Sequence, residues 1–289
     1  MKRFNIKVLL FLFPIIIFSS LGFIYKSAED KGIERYNTLK LENNIILIGD
    51  SKPLVDFNYS MLKNRFEKSS IINLSLWARN PQYIYSVYKS IFAKKKIRNS
   101  IIVYNLTYRQ ILNRSENLYS STNSILISKR SLKELIKEKL NKKYEFQYNN
   151  NENGFIQIIG QKFGYISEGY DFYKTLALKS NPDLYTQLMY VDSIKTLFNS
   201  NNNIFIVTEL PHDIVIDSIY QNMEYYSTFH QYIEKMFDNR LYFGYLKELD
   251  NANYWYNRDH LNNNGTDVFT PIFAMKLDSL IKEIRTSNI

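Results

Sequence analysis

Ser51 and His260 are the two residues whose types and settings could together perform nucleophilic catalysis. Ser51 follows an apolar run that ends in Gly49-Asp50, and Pro53 marks the start of a helix just after it. A serine hydroxyl is too weakly acidic to ionise alone, so it needs a nearby base, and histidine is the usual one. Ser51 could instead only cap the helix, because serine oxygens accept hydrogen bonds from free N–H groups at helix starts.

The chain has only three histidines that could serve as this base. His230 lies in the middle of a predicted helix, which favours a structural role. His212 follows an apolar strand-like run and could line a substrate site. His260 stands in the segment NRDHLN, shortly before a glycine and a final helix. His260 is therefore the favoured base.

Cysteine chemistry is excluded, since the chain has no cysteine. Thiolate zinc sites, cysteine nucleophiles and disulfides are thus ruled out. Three histidines also argue against a histidine-rich metal site. We expect neither a metal nor a cofactor.

Five short apolar runs predict strands, and helical patterns lie between them: residues 44–48, 70–74, 100–105, 203–208 and 241–243. This alternation indicates a parallel sheet with helices on both faces. In such sheets, ligands bind outside the carboxyl ends of the strands. Ser51, Ser75, Asn105 and His212 follow four of those ends, so we expect them to converge on one site.

The early Gly-Asp-Ser and the late Asp-His-Leu-Asn followed by glycine resemble the SGNH/GDSL hydrolase superfamily. The likeness covers residues 44–110 and 200–285 and is weak between them. It implies a three-layer α/β/α, flavodoxin-like sandwich with a parallel sheet. By the same resemblance, Ser51 is the nucleophile and His260 the base.

The resemblance also implies an oxyanion hole, to which Ser51, the backbone N–H of Ser75 and the side chain of Asn105 would contribute. Ser75 stands where the family has glycine, and the family's Gly-x-Asn is absent around Asn105. The family's acid, three residues before the histidine, is replaced by Asn257. Asp259 adjoins the histidine and would point elsewhere in most backbone geometries. The site is therefore a Ser-His-Asn triad, a Ser-His dyad or an impaired triad.

The N-terminus predicts a membrane anchor. Residues 8–25 form an uncharged apolar run, about the minimum length for crossing a bilayer. Lys2, Arg3 and Lys7 precede it, which orients the N-terminus toward the cytoplasm and the remainder outside. A cleaved signal peptide is the alternative. We assign residues 1–25 to the anchor.

Residues 26–43 are predicted to form a stalk, and residues 44–289 one domain with an insertion at about 114–180. Within the insertion, residues 129–143 form a basic amphipathic helix that could lie on a membrane, dock a partner or pack on its own domain. The net charge is +9, of which the anchor supplies three, leaving +6. A basic domain could face anionic lipid or an anionic polymer, and nothing in the sequence has the form of a nucleic-acid-binding motif.

An anchored member of this kind is similar to proteins that modify envelope polymers, such as those of alginate O-acetylation and lipoteichoic-acid D-alanylation. That likeness implies an O-acyltransferase or esterase on a cell-envelope glycan or polyol, at the bacterial cytoplasmic membrane and beside a membrane-bound O-acyltransferase. Trp77 and Arg79 could hold the polymer, or could be ordinary loop packing. The alternative is a catalytically weak domain that binds glycan or scaffolds the acyltransferase.

Overall fold

The computed structural model describes residues 39–76, 80–92, 96–112, 149–150, 156–157, 184–199 and 201–287. Five strands build its main sheet: β1 (Asn44–Ile48), β2 (Ser70–Asn73), β3 (Ile101–Asn105), β6 (Ile204–Glu209) and β7 (Arg240–Tyr242). Nearly every residue of the central strands is buried. Such continuous apolar runs suit strands that are covered on both faces.

All neighbouring strands of this sheet are parallel, in the order β2-β1-β3-β6-β7. Counted along the sheet's own strands, that is 2-1-3-4-5, the flavodoxin-like doubly wound order. The predicted parallel α/β sheet is thereby confirmed, whereas the transmembrane helix predicted at the N-terminus lies outside the described residues. The order reverses between β1 and β3, and this switch point is where ligands bind in such sheets.

Helices cover both faces of the sheet: α1 (Lys52–Val55), α2 (Tyr59–Arg65), α3 (Pro81–Phe92), α4 (Tyr108–Leu112), α5 (Leu184–Phe198), α6 (Ile214–Gln221), α7 (Tyr226–Met236) and α8 (Asn263–Ser287). Ile46 and Ile48 face a core formed with α3, α5, α6 and α7. Ile45 and Leu47 face a second core formed with α2 and α8. Because side chains alternate along a strand, β1 feeds both cores, as a three-layer sandwich requires.

The chain around His260 forms a short antiparallel hairpin of β8 (Trp255–Asn257) and β9 (His260–Leu261). Two 3-10 turns, Lys247–Leu249 and Ala252–Tyr254, lead into it. The sequence patterns predicted neither this hairpin nor α4 and α6. The hairpin matters because it carries the residues around His260.

The packed part of the domain begins before residue 44, the predicted boundary. Leu39 is buried in the first core, and Glu42 forms a bridge with Arg98. The predicted anchor and most of the stalk lie outside the described residues. Within the part of the chain described, no helix is long and apolar enough to cross a membrane.

Most of the predicted insertion, with its basic helix, also lies outside the described residues. Of it, the structure gives a small antiparallel pair, β4 (Asn149–Asn150) and β5 (Ile156–Gln157). The backbone of β5 runs beside α1, the helix that follows Ser51. The insertion thus approaches the switch point of the sheet.

Candidate active site

Ser51 and His260 lie in contact at the carboxyl end of the sheet, as their sequence context predicts. Ser51 Oγ is 2.8 Å from His260 Nε2, although 209 residues separate them along the chain. Both residues are buried, with 4 % and 8 % of their surfaces exposed. The Ser51 side chain makes no capping hydrogen bond to α1. The serine hydroxyl is therefore directed to the imidazole and not to the helix end.

Asn257 determines which nitrogen of the imidazole carries the proton. Its Oδ1 is 3.1 Å from His260 Nδ1 and accepts the backbone N–H groups of His260 and Asp259 at 2.8 and 2.9 Å. Two backbone donors identify this atom as the amide oxygen, so Nδ1 must present an N–H to it. Nε2 then has the lone pair that faces Ser51. This Ser-His-Asn arrangement is set up to remove the serine proton.

Burial lowers the pKa of His260 to about 4. The Asp259 carboxylate opposes this shift, whereas the charges of Lys52 and Arg109 add to it. The imidazole is therefore neutral at pH 7, and its lone pair is available. Relative to an ordinary histidine, the imidazolium is disfavoured by roughly 3 kcal/mol. Asn257 orients the ring but supplies no charge to offset that penalty.

Helix α1 links the nucleophile to the hairpin that carries the base. Lys52 begins α1 and Asp56 caps its end one turn later, with Nζ and Oδ2 separated by 3.6 Å. Lys52 Nζ donates to the backbone carbonyl of Asp259. Asp56 Oδ1 accepts the Leu261 N–H at 2.9 Å. The chain is thus held on both sides of His260, and we call this pair of α1 contacts the α1 clamp.

Lys52 is fully enclosed, which is rare for a lysine without partners. Besides the clamp contacts, its Nζ donates to the Pro211 carbonyl at 2.6 Å and lies 3.6 Å from Asp259 Oδ1. Burial raises the pKa of Asp56 to about 7, and Lys52 opposes the shift. Near neutral pH Asp56 is therefore partly ionised. Two carboxyl groups and two carbonyls surround the buried cation, as burial demands.

Asp259 does not occupy the position of a triad acid. Its carboxylate forms ion pairs with Arg109 and Lys52. Its nearest oxygen is 3.9 Å from His260 Nε2, the nitrogen that faces Ser51, and not beside Nδ1. The side chain therefore contributes charge to the site, while Asn257 holds the ring. The predicted register, with Asn257 in the acid's position, matches the geometry.

Asn105 is fixed at the end of β3 by partners on both sides. Its Nδ2 donates to Asp50 Oδ1 at 2.9 Å, and its Oδ1 accepts the Leu210 N–H at 3.1 Å. Asp50 Oδ2 also accepts from Thr107 Oγ1 at 3.2 Å. A primary amide has two N–H donors, and among the described residues only one of those of Asn105 has a partner. Burial, followed by the charge of Asp259, raises the pKa of Asp50.

Gly49 allows the ends of β1 and β3 to approach closely. Its φ is +143°, and a Cβ there would lie 2.7 Å from the Asn105 carbonyl oxygen and 2.9 Å from Asn105 Cβ. Real Cβ atoms do not tolerate such contacts. Glycine is therefore required at this position for Asn105 to stand beside the nucleophile.

Ser75 lies where the sequence places it, past β2, but its backbone N–H is engaged. It donates to Asn73 Oδ1 at 3.1 Å. An oxyanion role would require that hydrogen bond to open or be shared. The Ser75 contribution, like those of Ser51 and Asn105, stays a prediction.

The predicted substrate-binding residues have different settings. His212 is buried; its Nε2 is 3.0 Å from Asp217 Oδ1, and its ring packs on Tyr220 with centroids 5.3 Å apart. These contacts enclose the side chain, and a role in substrate binding stays a prediction. Trp77 and Arg79 lie outside the described residues. No group of three or more His, Asp or Glu side chains in the described ranges could hold a metal ion.

The sequence reasoning missed Lys52, Asp56 and Arg109. Lys52 gave one signal: it is the charged residue of the otherwise apolar KPLV turn that directly follows the nucleophile. Arg109 gave none, because its partner Asp259 is 150 residues away. Charged side chains that pair over such distances leave no local pattern.

No protein-family model and no curated protein sequence matches the chain. Solved structures resemble it. A GDSL-like lipase from Bacteroides thetaiotaomicron is 8 % identical, with a TM-score of 0.44 over 90 % of this chain and 98 % of that one. A structure from Streptococcus pneumonia, described in terms of platelet activating factor, is 12 % identical, with a TM-score of 0.44 over 92 % and 99 % of the chains. A Bacteroides fragilis structure of acylhydrolase type is 10 % identical, with a TM-score of 0.42 over 88 % and 94 %. At this degree of similarity, the chemistry has to follow from the site's own geometry.

Proposed function

We propose that this protein is a serine-dependent acyl-ester enzyme, with Ser51 as nucleophile, His260 as general base and Asn257 as the residue that orients the base. One observation carries the proposal: Ser51 Oγ stands 2.8 Å from an imidazole nitrogen whose lone pair faces it. A purely structural role seldom requires a buried serine hydroxyl that points at a neutral imidazole whose tautomer is fixed by a third residue. Nucleophilic catalysis requires all three.

The reaction has two balanced halves. Ser51 Oγ attacks the ester carbonyl carbon as its proton passes to His260 Nε2, and the C–O bond to the leaving alcohol breaks as that alcohol takes the proton. An acyl group then remains on Ser51. In the second half, an acceptor hydroxyl gives its proton to Nε2, attacks the acyl carbon and releases Ser51, which regains the proton. The second N–H of the Asn105 amide and the Ser51 N–H would stabilise the oxyanion.

The proposal includes a setting and a substrate class. The protein is anchored in the bacterial cytoplasmic membrane, faces outward, and acts as an O-acyltransferase or esterase on a cell-envelope polysaccharide or polyol beside a membrane-bound O-acyltransferase. The apolar run at residues 8–25 and the basic charge before it support the setting. The weakly basic His260 supports transfer from an activated donor, because a base with a low pKa favours reactive acyl groups over ordinary esters.

A second candidate function rests on Asn257. Without a carboxylate beside Nδ1, the domain could be a weak catalyst that binds glycan or scaffolds the acyltransferase. The same residue therefore favours both a donor-dependent transferase and a binding domain. Activity of the intact chain distinguishes them.

The test compares the full chain with Ser51→Ala, His260→Ala and a control, Ser60→Ala, at an exposed serine on α2. Each protein, in detergent, receives an activated acetyl ester with and without a soluble envelope polysaccharide. We expect the parent and Ser60→Ala to release the alcohol and, when acceptor is present, to acetylate it. Ser51→Ala and His260→Ala should each lose nearly all turnover, since members of one catalytic unit are not additive. If the parent is no faster than Ser51→Ala under either condition, the protein is not an enzyme for such esters, and the glycan-binding or scaffold function is supported instead.

A further inference from the structure

A cavity lies between α7 and the carboxyl ends of β6 and β7. Its volume is about 470 Å³, within the roughly 300–1,000 Å³ of small-molecule sites. Ser51 follows β1, which is separated from β6 by β3, so the strands that carry the nucleophile and Glu209 lie about 10 Å apart across the sheet. Its ionisable and aromatic lining comprises Glu209, Tyr226, His230, Glu234, Arg240 and Tyr242.

Glu209 is the unusual member of this lining. Only 5 % of its surface is exposed, yet neither carboxyl oxygen has a hydrogen-bond partner among the described residues. His230 Nε2 lies 3.4 Å from Oε2, but the two are not aligned as a hydrogen bond, and Nε2 also has no partner there. Buried carboxyl groups are nearly always paired. A donor that enters the cavity would complete the pairing.

The remaining walls suit a cation with a carbon chain. Tyr226 and Tyr242 stand nearly perpendicular to the His230 ring, with centroids 4.5 and 4.9 Å from it. Arg240 is the positively charged residue in the described lining of the cavity. It donates to the carbonyls of Glu234 and Phe237 at 2.6 Å each and forms no ion pair with Glu209 in the described structure. Aromatic faces beside a carboxyl group attract ammonium groups.

We propose that this cavity binds a primary alkylammonium group, with Glu209 accepting its N–H bonds and the two tyrosine rings covering the adjoining carbons. A quaternary ammonium has no N–H and would leave both carboxyl oxygens unpaired. A neutral alcohol offers one donor and no charge. The site is separate from Ser51, so the inference does not rest on the proposed ester chemistry.

Binding of an ammonium group should release a proton. Burial raises the pKa of Glu209 to about 8, with Lys52 opposing and Asp217 assisting the shift. The carboxyl group is therefore mostly protonated at pH 7, and a bound cation favours its ionised form. Burial lowers the pKa of His230 below 6.5, so this neighbour is neutral at pH 7 and supplies no positive charge to Glu209. Glu234 on α7 and Arg240 on β7 are the other charges that face the cavity, together with the Tyr226 and Tyr242 hydroxyls, whose pKa values burial raises.

The experiment is calorimetric titration of the full chain at pH 7 in two buffers of different protonation enthalpy. The probes are n-butylammonium with n-butanol, and glucosamine with glucose; the second pair tells whether an amino sugar fits or only an unsubstituted amine. The proteins are the parent, Ser51→Ala and Glu209→Gln, which preserves the shape of the side chain. Thermal unfolding checks that each variant is folded.

We expect the amine of at least one pair to bind at least tenfold more tightly than its neutral partner, with a buffer-dependent heat that reports proton release. Ser51→Ala should bind equally well, and Glu209→Gln should lose at least tenfold in affinity. Equal binding of amine and neutral partner, no binding of either amine up to its solubility limit, or undiminished binding by Glu209→Gln each overturns the proposal. If Glu209→Gln does not fold, the heats of the parent decide: buffer-independent heats also overturn it.

Discussion

At the scale of residues, Asn257 sets how strong a base His260 can be. Asn257→Asp adds a negative charge where an oxygen now lies 3.1 Å from Nδ1. The charge should raise the pKa of His260 from about 4 and speed hydrolysis of a small activated acetyl ester by about tenfold or more. In a well-studied serine protease, the reverse exchange lowers kcat about 10⁴-fold.

The dependence of kcat/KM on pH shows whether Asn257→Asp raises or lowers the pKa of His260. The base is active when neutral, so kcat/KM of the parent should be constant above about pH 5 and fall as pH drops through about 4. In Asn257→Asp, the fall should begin at higher pH. Asn257→Leu, which removes the acceptor and adds no charge, should slow the reaction. An unchanged profile in Asn257→Asp would mean that Asn257 does not act on His260.

Gly49 provides a second test at this scale. Gly49→Ala must displace Asn105 or strain the backbone, since its Cβ would lie 2.7 Å from a backbone oxygen. We expect a loss of about 1–3 kcal/mol in the free energy of unfolding, measured with urea. Ester turnover should fall further than stability explains, because Asn105 moves. Ser60→Ala, on the exposed face of α2, should change neither; a Gly49→Ala protein as stable and active as that control would contradict the close approach.

The sequence could identify a residue where the chain offers few other residues of the same type for the same role. One base was favoured among three histidines, and the family resemblance placed Asn257 in the acid's position, where its side chain contacts His260 Nδ1. The charges around them were not predictable, since Arg109 and Lys52 meet Asp259 across 150 and 207 residues. Only the fold brings such partners together.

At the scale of elements, the α1 clamp joins the nucleophile to the base. Lys52→Met retains the carbon stem but removes the cation that lies between Asp56 and Asp259. Asp56 would then lose its cation and Asp259 would keep only Arg109, and a broken buried pair costs about 3–5 kcal/mol. Denaturant unfolding measures the loss. The matched control is Lys282→Met, whose ion pair with Asp278 is exposed and should be worth less than about 1 kcal/mol.

Comparable stabilities of the two variants would show that the clamp is not needed for folding. Turnover then decides whether it positions His260. A clamp that positions the base predicts a lower kcat with little change in KM. If Lys52→Arg, which restores the cation, recovers kcat, the positive charge at this position is what matters and not the shape of the lysine side chain.

The strands were predictable and several helices were not, for a physical reason. Strands β1, β2, β3 and β6 are buried on both faces and are therefore plain apolar runs that end at polar residues, whereas the edge strand β7 buries only Leu241. Helices α4 and α6 are short, and α6 contains the β-branched segment IVI, which resembles a strand. The helix predicted to begin at Pro53 ends after about one turn at Asp56, the C-cap of α1, whose side chain accepts the Leu261 N–H, and α2 follows as a separate helix.

At the scale of the whole molecule, the anchor predicts which side of the membrane the site occupies. Residues 26–289 should be digested when protease is added to cells whose outer surface or periplasm is accessible. A cytoplasmic marker protein should survive the same treatment. Protection of the domain until full lysis would contradict the predicted topology and, with it, a role on envelope polymers.

The central claim is that Ser51 forms a covalent acyl intermediate. The most direct measurement mixes the full chain with an activated acetyl ester, stops the reaction in acid and locates any acetyl group by peptide mass. We expect one acetyl group on the peptide that contains Ser51, formed more slowly in His260→Ala and more quickly in Asn257→Asp. Labelling at or below the level of Ser51→Ala in all of these proteins would contradict it.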